Sequence, residues 1–153
     1  MDRNDIERVY ALKLDDLYWK PIYPNNMSCN GIIGYYTLIL IGNPDGTISG
    51  RKYSIVFQKQ EVEPGKGLVN NNIELYILFE KSYSVIKGPL GYPEPTEYNV
   101  DSLLYPNSNV TLHSSDINDY GSFVRAYTDI EYAKLRVLTQ FKAVFGYAAS
   151  HIV

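Results

Sequence analysis

The chain has 153 residues and a mass of 17.4 kDa, of which 45% are hydrophobic and 20% charged. That composition excludes an intrinsically disordered chain, and the length suits one domain with a core large enough to need no staples. Fourteen basic against 17 acidic side chains leave a formal charge of −3 and a pI near 5.3. This disfavours nucleic acid as a partner, because phosphate neutralisation needs a basic face.

No apolar run approaches the ~20 residues of a membrane helix. The start, Met1-Asp2-Arg3-Asn4-Asp5, is polar and does not read as a secretory signal. The expected location is therefore the cytoplasm or a virion, with no membrane partner. Cys29 is the sole cysteine, so no intrachain disulfide and no cysteine-rich zinc site is expected. Charge is uneven along the chain. Residues 92–131 carry seven acids against Arg125 alone, and residues 132–153 carry Lys134, Arg136 and Lys142 with no acidic side chain. Fifteen tyrosines are present. Tyrosine suits wet but tight interfaces, since its body is apolar and its tip polar.

Asn4-Asp5-Ile6-Glu7 has the form of a capping box and predicts a short helix from about Asp5 to Lys13. Lys20 to Gly31 reads as a loop, from its prolines and asparagines. Ile32 to Ile41 is apolar on both faces, which predicts a central strand with something packed on each side. Asn43-Pro44-Asp45-Gly46 then supplies a turn, and Thr47 to Gln60 resumes as the second strand of a hairpin. Ile73, Leu75, Ile77 and Phe79 alternate with Asn72, Glu74, Tyr76, Leu78 and Glu80 as a half-buried strand. A turn at Glu80-Lys81-Ser82 would pair it with a further strand at Tyr83 to Lys87. Gly88 to Asn99 is a Pro/Gly/Tyr-rich loop, expected to be exposed, and Val110 to His113 is a short strand candidate.

The C-terminal segment carries the strongest helical pattern. Thr128-Asp129-Ile130-Glu131 reads as a capping box, with Tyr127 and Tyr132 as its staple. Ile130, Ala133, Val137, Phe141, Val144 and Ala148 form an apolar stripe that Leu135, Leu138 and Phe145 widen. The helix is expected to end near Gly146 or a few residues later. The whole reads as one α+β domain over residues 1–153. It predicts a mainly antiparallel sheet of four to six strands, with a short N-terminal and a long C-terminal helix packed on it.

Chemistry has few footholds. His113 and His151 are the only histidines. His113 lies beside Ser114, Ser115 and Asp116, but neighbours on a strand point opposite ways, which a triad does not tolerate. Asp116-Ile117-Asn118-Asp119-Tyr120-Gly121 resembles the first half of an EF-hand loop. It has Tyr120 at the fifth position and Tyr127 where the bidentate Glu belongs, so it reads as an Asx-rich turn. Gly65-Lys66-Gly67 lacks the Walker spacing. No catalytic residue, metal or cofactor is expected.

The leading expectation is a non-enzymatic assembly subunit forming a homo-oligomer, with a viral particle, tail or neck as one setting. Its partners would be further copies of itself and other assembly subunits. Its candidate interface residues are Trp19, Tyr23, Tyr92, Tyr98, Arg136 and Lys142. The alternative is a small-molecule, nucleotide-type binding or sequestering protein, with Arg51, Lys52, Lys66 and Arg125 as anion contacts.

Overall fold

The computed structural model describes residues 7, 9–24, 31–42, 48–61, 72–83, 104–106, 112 and 114–152. The Asn4 cap, Cys29, the turn at residues 43–46, Lys66, His113 and the Gly88–Asn99 loop with Tyr92 and Tyr98 lie outside them. So do the side chain of His151 and all of the Val110–His113 strand candidate except Leu112, which is not in a strand.

The architecture is α+β. Six strands form one antiparallel sheet: β1 (Lys20–Ile22), β2 (Gly34–Gly42), β3 (Ile48–Glu61), β4 (Asn72–Tyr83), β5 (Leu104–Pro106) and β6 (Ser122–Tyr127). Their order is β1-β2-β3-β4-β6, with β5 also on β2. β1 meets the start of β2 at Gly34–Tyr36 and β5 meets its end at Ile39–Ile41, so the two share one side of that strand. A C-terminal helix, Ile130–Ile152, packs on one face. The N-terminal segment is helical at residues 9–11 and continues through a 3-10 turn, Leu14–Asp16.

β2 is central, as its apolar run requires. Alternation sends Ile39 to the helix side, where it joins Tyr53, Ile55 and Leu78 with Ala133, Val137, Leu138 and Phe141. Val9, Leu12 and Leu17 of the N-terminal segment close that core. Tyr36, Leu38 and Leu40 point the other way and pack with Ile22 and Leu112.

Several expectations are corrected. β4 runs unbroken to Tyr83, so Glu80-Lys81-Ser82 is strand and not a turn. Each member pairs with β3, in the register Tyr53↔Glu80, Lys52↔Lys81 and Arg51↔Ser82. Leu78 is fully buried under the helix, whereas Ile77 and Phe79 are half-buried on the opposite side. Phe79 there meets Tyr120 at 5.4 Å and Phe123 at 6.2 Å between ring centroids. Both sheet faces carry apolar residues, so periodicity alone does not say which one takes the helix.

β1 lies inside a stretch read as loop, and β5 and β6 had no strand signal. The helix cap is Asp129 rather than Thr128. Its Oδ1 accepts from the Glu131 N–H at 2.9 Å and the Tyr132 N–H at 3.3 Å, and its own carbonyl takes the first helical bond from Ala133 at 3.0 Å. Such a cap contributes about 1 kcal/mol. Tyr127 and Tyr132 do touch, edge to face at 5.7 Å. The helix passes Gly146 and ends at Ile152. Leu135 does not widen the buried stripe, since it is 45% exposed. Two positions from both Ala133 and Val137, it lies about 200° round the helix from each.

Gly121, just before β6, has φ 88° and sits against the backbone of Glu80. A Cβ there would clash with the Glu80 carbonyl oxygen and lie 2.8 Å from Lys81 Cβ. Gly121→Ala is expected to cost about 2 kcal/mol, read as a lower midpoint in urea unfolding. An unchanged midpoint would refute the tight approach.

Candidate functional site

Two places on the molecule gather chemically capable side chains. The first follows from the pleat of β3. Arg51 and Lys52 are adjacent, so they leave the sheet on opposite faces. On the helix face, Arg51 Nη2 lies 3.3 Å from Glu80 Oε2, which also accepts from Gln140 Nε2 at 2.9 Å. On the other face, the Lys52 side chain is fully buried. Its Nζ donates to the Asp119 carbonyl at 2.7 Å and to the Asp116 carbonyl. These oxygens lie at and just beyond the end of a short helix, Ser114–Ile117, so Lys52 acts as its C-terminal cap.

Lys81 stands opposite Lys52 and donates to Asp119 Oδ2. Its Nζ also lies 5.6 Å from the centroid of the Tyr83 ring. Ser54 Oγ, Tyr83 OH and Asp116 Oδ2 are buried here without a hydrogen-bond partner among the described residues. Burial lowers the Lys52 pKa to about 8, and the like charge of Lys81 adds to this against the opposing pull of Asp119 and Asp116. The hydrogen bond from Lys81 holds Asp119 below the usual carboxylate range. Burial, then the two acids, pushes Tyr83 up to about 12.

This cluster is a clamp more than a reactive centre. The lysine amine is enclosed and already committed to two carbonyls. It holds residues 114–121 onto the sheet. The EF-hand-like stretch is thus a helical turn: Asn118 Nδ2 donates to the Ser114 carbonyl at 2.8 Å, and Asp119 faces Lys81. Among the described residues no group of three or more His, Cys, Asp or Glu is placed to hold a metal.

The proposed anion contacts do not converge. Arg51 and Lys52 are on opposite faces and engaged with Glu80 and the Asp116 and Asp119 carbonyls. Arg125 is exposed on β6, at the sheet edge. Lys66 is outside the described residues.

The second place is the outer surface of the helical layer. Lys142 Nζ donates to the Tyr10 carbonyl at 2.9 Å, and Lys134 Nζ lies 5.8 Å from the Trp19 ring centroid. Residues 10 to 19 therefore run antiparallel along the C-terminal helix. Trp19 is half-buried against the core and serves as an anchor of that segment. Lys134 is also 5.6 Å from the ring of Tyr35, so it lies close to both. Tyr23 is 57% exposed after β1, and Arg136 is exposed on the helix.

The same layer exposes Tyr10 at 54%, Tyr18 at 56%, Tyr132 at 52% and Leu135 at 45%. None of these four is among the six candidate interface residues. For the helical pair a signal existed: Tyr132 and Leu135 are three residues apart, on the side away from Ala133, Val137 and Phe141.

Inside the layer, half-buried rings cross the sheet in a row. Tyr35 and Phe57 are 5.7 Å apart, and Phe57 and Tyr76 are 5.6 Å apart. No helix among the described residues is long and apolar enough to cross a membrane. No protein-family model, curated protein or solved structure matches the chain.

Proposed function

We propose that this protein is a non-enzymatic, self-associating subunit whose contact surface is the outer side of its helical layer. One observation carries the reading: Tyr10, Tyr18, Tyr132 and Leu135 are all exposed by 45 to 56% on that single layer. Exposed aromatic residues are the usual material of interface centres. The engaged state of Lys52, Lys81 and Arg51 also turns weight from chemistry toward binding.

Light scattering across a concentration series tests it. A mass rising to a multiple of 17.4 kDa is expected. A mass fixed at one chain up to millimolar concentration would overturn it.

A second reading, a planar nucleotide-type ligand, is supported by the Tyr35–Phe57–Tyr76 row beside the Lys134 ammonium. Thermal stabilisation by nucleotides, lost in Tyr76→Ala, would favour it over self-association.

A further inference from the structure

We propose that two copies pair antiparallel through the outer sides of their C-terminal helices, about a two-fold axis at Tyr132. The inference rests on the self-association reading above and names its interface. It starts from spacing. Asp129 and Arg136 are seven residues apart, two helical turns, and so lie along one flank of the helix. Both are exposed, and Tyr132 lies between them on the outward side.

An antiparallel pair brings like flanks together. A two-fold axis near Tyr132 therefore sets Asp129 against the partner's Arg136, and Arg136 against the partner's Asp129. The same axis brings Tyr132 against the partner's Tyr132, with Leu135 beside it. One register thus satisfies two ion pairs and one aromatic contact. A parallel pair would set this flank against the partner's opposite flank, so Asp129 and Arg136 would not meet.

The charge pattern favours this arrangement more broadly. The helix start carries Asp129 and Glu131, while every charged side chain after residue 131 is basic. Antiparallel packing opposes the two helix dipoles as well. Among the described residues Arg136 has no ion pair within its own chain. The side chain of Asp129 caps its helix through Oδ1, which leaves Oδ2 to meet an arginine. Tyr10 and Tyr18, exposed on the flanking segment, widen the buried area toward what a stable dimer needs.

Two measurements on the full chain test this. Sedimentation equilibrium on Arg136→Glu is expected to show the dimer dissociation constant raised at least tenfold, roughly 1.4 kcal/mol or more, since each of two pairs becomes a repulsion. Asp129→Asn keeps a capping side chain and should weaken the dimer several-fold in the same direction. Tyr132→Cys, made with Cys29→Ser, is expected to form a disulfide-linked dimer on mild oxidation, because the axis puts that position against itself. Thr139→Cys in the same background, two turns away, should not.

If the wild-type protein self-associates but Arg136→Glu leaves the constant unchanged and position 132 does not cross-link, the interface is elsewhere. That result overturns this inference and leaves the self-association reading standing. A strictly monomeric wild type overturns both.

Discussion

Phe141→Ala is expected to cost about 3–5 kcal/mol, the range for emptying a large aromatic site in a packed core. Phe141 is fully buried, in the cluster where the helix meets β2, β3, β4 and the N-terminal segment. Removing its ring withdraws contacts from both the sheet and residues 9–17 at once. Domains of this size hold only about 5–15 kcal/mol in total, so the loss is a large share. A thermal midpoint drop on the order of 10 °C should follow. Leu135→Ala is the paired measurement, with an expected change within about 0.5 kcal/mol at concentrations too low for association. Equal costs at the two positions would show that the helix docks by a different face.

Leu135 and Phe141 show how far the helical period reaches. Both are apolar residues of one helix, but spacing places Phe141 in the stripe and Leu135 about 200° from Ala133 and Val137, so the period alone separates the buried ring from the exposed leucine. β4 is where sequence reasoning stops. Its two faces, Leu78 with Tyr76 and Ile77 with Phe79, are both apolar enough to bury, and the topology decided between them.

The long elements were legible because each carries many residues of one period. β2, β3, β4 and the C-terminal helix all lie close to where pattern puts them. β1 and β5 were not legible. Each has three residues, too few for alternation, and each forms only because β2 offers a free edge. β6 carries no strand signal for another reason: a bulge opposite Leu78/Phe79 breaks its alternation.

The candidate sites divide in the same way. Arg136 and Tyr23 stand exposed, whereas Trp19 is half-buried against the core. The partnership of Lys52 with the Asp116 and Asp119 carbonyls joins residues more than sixty positions apart, and no spacing rule reaches that far.

That partnership gives the second large expected effect, a rise in stability with pH above neutrality. Lys52 has a pKa near 8 in the folded protein, against about 10.4 in an unfolded chain. The unfolded state therefore holds its proton more tightly. Below pH 8 the burial penalty on the ammonium is fully present. Between pH 8 and about 10.4 the folded amine is neutral while the unfolded one is still charged, so the folded state gains. The difference of the two values corresponds to about 3 kcal/mol over that interval.

The charges beside Lys52 set the size of the rise, and buried tyrosines set its end. Asp119 and Asp116 oppose the lowered value, and Lys81 reinforces it. Tyr36, Tyr53 and Tyr83 have pKa values raised by burial, so their contribution runs the other way. It is intact below about pH 10 and is lost as the pH climbs above it. Stability should therefore peak between pH 9 and 10.

Urea unfolding of the wild type at pH 7, 8, 9 and 10 reads the rise directly. Lys52→Met removes the titrating amine and should flatten the curve over that window, whatever its effect at pH 7. Replacing Lys81 with methionine removes a like charge from beside the ammonium. It should move the rise to higher pH rather than abolish it. A wild-type curve that is flat or falling from pH 8 to 9, or a rise that persists in Lys52→Met, would show that the ammonium is not enclosed beneath residues 114–121.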